Sequence, residues 1–231
     1  MTMQRGGEGP PRLRLYAWPT PNAQKVSIML EECAIPYEVI AVDINKGEQF
    51  APGFLAISPN NRIPAIVDGE IALFESGAIL VYLAERVGRF MADRYAALQW
   101  LMFQIGGLGP MCGQAHHFRQ MADQQIPYAV ARYTNEVGRL YGVMDRRLGA
   151  APYLAGEYSI ADIACWPWVR PHRRQGQSLD EFPHLKRWFA AIGARPAVQR
   201  GMELLKDQRG NRTLTPEARE VLFGSGQRLR R

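Results

Sequence analysis

Between residues 60 and 87 the chain changes its hydrophobic period from two to helical within one short run, and the rest is organised around that change. Asn60-Asn61-Arg62-Ile63-Pro64-Ala65-Ile66-Val67 ends in alternating, β-branched apolar residues, as a half-buried strand does. Asp68-Gly69 supplies a two-residue hairpin turn, and Ile71-Ala72-Leu73-Phe74 reads as the return strand. Glu75-Ser76 follows, and Ile79, Leu80, Leu83 and Val87 then recur at helical spacing. Ser76 thus stands where a strand hands over to a helix, with first-turn amides unpaired and the positive end of the helix dipole pointing out. Such an end suits a carboxylate.

Ile63-Pro64 adds a second feature. A proline entering a strand cannot donate to a ladder, so it belongs at an edge or a bend. If that bond is cis, Ile63 presents its N–H and C=O sideways, free to pair with an extended peptide. A strand edge for a peptide backbone and a helix N-terminus for a carboxylate together describe a small-peptide site. Taken separately, each half also fits an ordinary hairpin and an ordinary helix cap.

Upstream, Leu13 to Ala17 alternates as a first strand, and Trp18-Pro19-Thr20-Pro21-Asn22 is a turn whose prolines hold the chain out of helix until Asn22. A helix follows with Val26, Ile28, Met29 and Leu30 on its buried side, then a second strand over Tyr37 to Val42 and a short helix around Phe50 to Ile57. The order β-α-β, short helix, β-β-α predicts a small mixed sheet with helices packed on it. Past Gly88 the pattern is helical throughout: 94–119, 128–148, a helix opened by the capping-box-like Ser159-Ile160-Ala161-Asp162, and stretches around 181–193 and 196–206. The reading is therefore a leader over 1–12, expected to be disordered, a mixed-sheet domain over 13–88, an all-helical domain over 93–206 and a basic tail over 207–231.

Charge and cysteines narrow the function. The net charge of +6 belongs to the ends: residues 206–231 carry seven Lys/Arg against three Asp/Glu, and no basic face interleaved with aromatics marks the body, so no nucleic-acid partner is expected. No apolar run is long enough to span a bilayer, and the N-terminus lacks a signal peptide's apolar core. Cys33, Cys112 and Cys165 share no metal-ligand or CxxC spacing, an odd count that argues for a reducing compartment, the cytoplasm. His116-His117 is an adjacent pair that cannot put both imidazoles on one helix face, and no carboxylate lies at matching spacing, so no metal is expected. Gly106-Gly107-Leu108-Gly109-Pro110 inside a helical stretch reads either as a packing kink or as close approach of backbone to a ligand or partner. Trp100, Met102, Trp166 and Trp168 read as core.

At the first helix, Asn22 reads as a good N-cap. The functional alternative is that the Thr20 hydroxyl and the Asn22 amide donate to an anion at this helix end, helped by the dipole. A thiolate fits the position, since a free thiol titrates near 8.5 and needs help to ionise at neutral pH. The chain offers no cysteine there, so the thiol must come from the ligand.

From Leu13 to Lys206 these residues resemble the cytosolic glutathione transferase superfamily. The resemblance narrows to the bacterial Nu class at Thr20-Pro21-Asn22, at Ile57 to Asp68, at Gly106 to Met111, at His116-His117-Phe118, at Ile126 to Ala129 and at Ala161 to Trp168. It implies an α+β thioredoxin-like N-terminal domain, with a mixed four-stranded sheet, and an all-α C-terminal domain. It also implies a homodimer that binds glutathione, with two molecules per subunit as one option. The activity implied is reduction of small disulfides, with weaker conjugating or peroxidase activity. Under the resemblance Thr20 and Asn22 face the sulfur, Ile63 pairs with the cysteinyl backbone, Glu75 and Ser76 hold the γ-glutamyl end, and Gln49 reaches the glycyl end. Arg132 contacts a carboxylate of a second glutathione. The alternatives are conjugation of glutathione to electrophiles, and a non-catalytic regulatory role like that of a related yeast nitrogen regulator. The links from Asp68 to Ile71 and from Phe90 to Arg94 are shorter than the class pattern, a difference expected to act on the rim of the site.

Overall fold

Leu13, Leu15 and Ala17 alternate inward along strand β1 (Leu13–Ala17), which lies at the middle of the sheet. The computed structural model describes residues 12–208, 215–224 and 227. The leader expected over 1–12 falls outside them except for Arg12, and the tail falls partly outside. β1 is followed by helix α1 (Pro21–Cys33), strand β2 (Tyr37–Ala41), a 3₁₀ turn at Glu48–Phe50 and the short helix α2 (Pro52–Leu55). The hairpin is β3 (Ala65–Asp68) and β4 (Ile71–Phe74), and helix α3 (Ser76–Val87) leaves it after a single residue. The sheet runs β2-β1-β3-β4, with β1 and β2 parallel and the other pairings antiparallel. Leu15 pairs with Val39 on one side and Ile66 on the other.

Two local readings need correction. The hairpin turn is Gly69-Glu70 rather than Asp68-Gly69: Asp68 is the last strand residue, opposite Ile71, and Gly69 takes the positive φ of +64°. Asp68 is kept in the strand by partners on α3, accepting from Tyr82 Oη at 2.8 Å and from Arg86. Helix α1 starts at Pro21, with Thr20 as the N-cap in extended conformation. Proline at the first helical position needs no N–H and has its φ already set, so it opens the helix instead of delaying it.

Helix α1 is buried at every residue from Ala23 to Leu30, not along one stripe. It is enclosed by α3, by α7 (Ile160–Val169) and by α9 (Pro196–Met202). α9 approaches so closely that a Cβ on Gly201 would lie 2.6 Å from Ile28 Cα, and Ser27 Oγ donates to the Gly201 carbonyl at 2.7 Å.

The helical half begins with α4 (Arg94–Phe103), a π turn at Gln104–Leu108, α5 (Gly109–His116) and a second π turn at His117–Met121. It continues with α6 (Pro127–Ala150), and α8 (Pro183–Gly193) lies between α7 and α9 in sequence. A further helix, α10 (Pro216–Phe223), stands in the segment taken for a tail. The glycine run coincides with the π turn, the local distortion that a packing role calls for. The Gly109 amide donates to the Gln104 carbonyl one residue further back than in an α-helix. A Cβ on Gly109 would lie 2.5 Å from Gln104 Nε2, so glycine is what lets the Gln104 side chain fold inward.

The capping box at α7 is complete. The buried Asp162 carboxylate accepts from Ser159 N and Oγ at 3.0 Å each, from Leu154 N at 3.0 Å and from Trp188 Nε1 at 2.8 Å, joining α7, α8 and the 152–156 loop. Burial pushes its carboxyl pKa up, and these hydrogen bonds oppose the shift. The main hydrophobic core runs through sheet and helices together, from Leu13 to Leu204, and Val42, Phe54 and Ala65 form a smaller separate cluster. No helix among the described residues is long and apolar enough to cross a membrane.

Candidate functional site

Two helix N-termini open on the same side of the sheet. At α3 the strand ends at Phe74, Glu75 takes φ +68° as N-cap, and Ser76 is the first helical residue. No side chain caps this end, so its first amides are available to a ligand. A positive φ on a non-glycine residue is costly, and its place beside an open helix end points to function. Gly77 lets the helix sit close to the π turn, since a Cβ there would meet Ile105 at 3.2 Å. Glu75 Oε1 accepts from Asn60 Nδ2 at 3.4 Å, and Ser76 Oγ from Lys25 Nζ at 3.3 Å.

At α1 the Thr20 Oγ1 accepts from Ala23 N at 3.4 Å, which uses a lone pair and leaves the hydroxyl proton to donate elsewhere. Asn22 is not the cap. Its Oδ1 accepts from Trp168 Nε1 at 2.9 Å, and because an indole nitrogen only donates, the amide must turn its NH₂ away from Trp168.

Between the helix ends runs the segment before β3. The Ile63-Pro64 bond is cis, and the N–H and C=O of Ile63 have no partner among the described residues. Ser58 Oγ steadies the approach by donating to the Arg62 carbonyl at 2.8 Å. A hollow of about 260 Å³ is lined by Asn22, Asn60, Ile63, Pro64, Glu75 and Ser76, among others. An adjoining hollow of about 280 Å³ is lined by Thr20, Asn22, Gln49, Ile63, Trp168 and Leu222, among others. Asn22, Arg62 and Ile63 line both. Together the hollows make a cleft of the size that small ligands occupy, roughly 300–1,000 Å³.

The structure therefore gathers Thr20, Asn22, Gln49, Ile63, Glu75 and Ser76 at one cleft. Gln49 is buried; its Nε2 donates to the Ile44 carbonyl at 3.4 Å, and its Oε1 has no partner among the described residues. The Asn61 Oδ1 is buried and unpaired in the same way. Arg132 is not brought there: it lines neither hollow, lies on α6 and pairs with Glu136 at 3.6 Å. The two shortened links are off the rim as well. Gly69-Glu70 is at the far end of β3 from Ile63, and Phe90 gives its carbonyl to Ile160 N at 3.0 Å.

Arg62, Trp168, Ile44 and Leu222 are among the lining residues that the sequence does not assign to the site. Arg62 had a signal, a cation directly before the Ile-Pro pair. Trp168 gave none, since an indole in an apolar helix reads as core. Leu222 lies in α10, and Gln227 beyond it accepts from Arg62 Nη2 at 3.2 Å.

The cleft offers an anion two helix dipoles, a hydroxyl, an amide and Arg62, but no thiol. Cys112 and Cys165 are buried, and Cys33 ends α1 about 20 Å along the helix from Thr20. Burial pushes the Cys33 pKa up to about 11 and raises those of Cys112 and Cys165 as well, so none is a nucleophile at neutral pH. Among the described residues no group of three or more His, Cys, Asp or Glu is placed to hold a metal ion.

Residues 11–85 match the model of the glutathione S-transferase N-terminal domain, and residues 110–196 that of its C-terminal domain. Over 209 residues the chain is 54% identical to the disulfide-bond oxidoreductase YfcG of Escherichia coli, covering 85% of this chain and 96% of that protein. A glutathione transferase from Pseudomonas putida, crystallised with one glutathione disulfide per subunit, superposes with a TM-score of 0.81. It is 45% identical over 86% of this chain and 94% of its own. A family member from Pseudomonas fluorescens, with two glutathione molecules bound, gives a TM-score of 0.79 at 46% identity over 85% and 95% of the two chains.

Proposed function

The chain belongs to the glutathione S-transferase family, and from that premise we propose that it reduces small disulfides with glutathione. The tripeptide lies along Ile63, its γ-glutamyl carboxylate on the open amides and hydroxyl of Ser76 and its ammonium toward Glu75. Gln49 takes the glycyl end, and Arg62 adds a cation beside the carboxylates. The sulfur sits between the Thr20 hydroxyl and the Asn22 amide, whose donors favour the thiolate.

That thiolate attacks one sulfur of the substrate disulfide, forming a glutathione mixed disulfide and expelling one substrate thiolate. A second glutathione thiolate attacks the glutathionyl sulfur, expels the other substrate thiolate and leaves oxidised glutathione. Two electrons pass from two glutathiones to the substrate, and each expelled thiolate takes up a proton. The bound glutathione disulfide of the Pseudomonas putida relative is the product this sequence of steps gives, and the two bound glutathiones of the Pseudomonas fluorescens relative match its demand for a second thiol. Arg132 steers that second molecule from outside the cleft.

The observation that carries the reading is a doubly polarised cleft with hydroxyl and amide donors and no protein thiol. A variant with Cys33→Ser, Cys112→Ala and Cys165→Ala therefore keeps its turnover of a small disulfide, provided that circular dichroism shows it folded. Loss of turnover in the folded variant overturns the scheme. Conjugation of glutathione to a chloronitrobenzene outrunning disulfide reduction turns the assignment toward electrophiles.

Three further readings belong to the same proposal. The domains divide in the segment 88–93, where Gly88 ends α3 in the left-handed conformation. The protein is a homodimer, supported by Tyr95 and Met102 of α4 and Phe74 of β4, large apolar side chains left exposed on one chain. It works in the cytoplasm, which three unpaired cysteines favour.

A further inference from the structure

Lys25 is 1% exposed, inside the first helix, beneath the residue proposed to hold the glutamyl carboxylate. Its Nζ donates to Gln104 Oε1 at 2.5 Å and to Ser76 Oγ at 3.3 Å. The π turn and Gly109 exist to make the first contact possible, since a side chain at 109 would displace Gln104. A buried lysine is costly unless it is paired, and the two side chains that accept from this one, Gln104 and Ser76, are both neutral.

The groups that face it are few. From the α3 side come Ser76 and the exposed Glu75, from the π turn the neutral Gln104, and from α7 the Cys165 thiol, which burial keeps protonated. α9 packs on the same helix, but Arg195 at its start and Arg200 are paired with Glu32 and Glu31. Burial pulls the amine down to about 7, with Glu75 opposing the shift.

The charge on Lys25 sets what Ser76 can do. An ammonium only donates, so Ser76 Oγ must accept from it, and the serine proton points elsewhere, into the hollow that Ser76 lines. A neutral amine can accept, and the serine hydroxyl can then turn inward and leave the hollow. We propose that Lys25 is a positioning residue for the ligand carboxylate: in its charged form it aims the Ser76 hydroxyl at that carboxylate, and carboxylate binding in turn draws a proton from solvent onto Lys25. The proposal rests on the reading of the cleft as a glutathione site.

The test is calorimetric titration with S-methylglutathione, which has no thiol proton to lose, in two buffers of different ionisation enthalpy. At pH 7.5 the wild type takes up about half a proton or more per site, and its affinity falls about fivefold or more from pH 6.5 to 8.5. Lys25→Arg, charged at every pH, binds with that uptake removed and that slope flattened. The ligand's own amine titrates alike in both proteins, so the difference belongs to Lys25. Equal proton uptake in wild type and Lys25→Arg overturns the role of Lys25 and leaves the glutathione site standing. Absence of any binding by the wild type overturns the glutathione reading and this one with it. Should Lys25→Arg fail to fold, Lys25→Met takes its place, since it has no amine to protonate. Proton uptake by Lys25→Met equal to that of the wild type overturns the proposal.

Discussion

Trp168 Nε1 donates to Asn22 Oδ1 at 2.9 Å, so a residue of the helical half fixes which end of an amide faces the cleft of the sheet half. Trp168→Phe keeps an aromatic ring and removes the donor. The Asn22 amide is then free to turn its oxygen toward the thiolate, which repels it. With one hydrogen bond contributing about 1 kcal/mol, kcat/KM for disulfide reduction is expected to fall roughly fivefold. The melting temperature stays close to that of the wild type. Unchanged turnover places the thiolate's donor elsewhere.

Thr20 has two tasks that different substitutions separate. Thr20→Ala removes the N-cap of α1, which costs about 1 kcal/mol of stability, and also removes the hydroxyl donor. The glutathione thiol then ionises at higher pH, so turnover is lost most below neutrality and least above pH 8.5. Thr20→Ser keeps cap and hydroxyl and keeps the wild-type profile. A pH-rate series on the three proteins decides: an even loss across pH in Thr20→Ala means the residue only caps the helix.

What the sequence made legible is local. The strand-turn-helix over 63–79 places Ile63, Glu75 and Ser76 by chain continuity, so their convergence follows from the period change alone. Thr20 caps α1 and Asn22 stands in its first turn, and β1 pairs with β3 in the same small sheet, which brings both helix ends to one side. Trp168 and Leu222 reach the cleft through tertiary packing across more than a hundred residues, and no local pattern encodes that. The cap is hard to read because Pro21 looks like a barrier to helix, although its fixed φ suits a first helical position. Lys25 went unnoticed because a lysine in an amphipathic run reads as solvated, and only burial by α3, α7 and the π turn makes it exceptional.

The segment read as a tail covers the cleft of its own chain. Leu222 lines the hollow beside Thr20 and Trp168, Phe223 packs edge-on against His117 at 4.7 Å, and Arg219 pairs with Asp123 at 2.8 Å and with the Met121 carbonyl. Leu222 thus supplies an apolar wall beside Thr20, where the reaction proposed above brings the acceptor disulfide. Leu222→Ala is expected to raise KM for an aromatic disulfide about fivefold, through lost apolar burial, with kcat little changed. KM for a small charged disulfide stays within about twofold. Equal effects on the two substrates place α10 outside the acceptor path.

The buried ammonium also predicts how the ligand-free fold responds to pH. The folded pKa of Lys25 is about 7 against 10.5 in the unfolded chain, so between these values the unfolded state holds the extra proton. Stability then rises with pH, by about 1.4 kcal/mol per pH unit once above 7, and the penalty for burying the charge is complete below 7. The thiols act in the opposite sense. Cys33, Cys112 and Cys165 all have pKa values raised by burial, so above about 8.5 the unfolded chain releases protons first and stability falls. The window for Lys25 is therefore pH 7 to 8.5. Lys25→Met removes the rising limb there and keeps the alkaline fall. Urea unfolding of wild type and Lys25→Met at fixed protein concentration and half-unit pH steps measures the difference directly. Two parallel curves across the window mean that the amine stays charged in the folded protein, stabilised by Gln104, Ser76 and the field of Glu75 more strongly than burial opposes it.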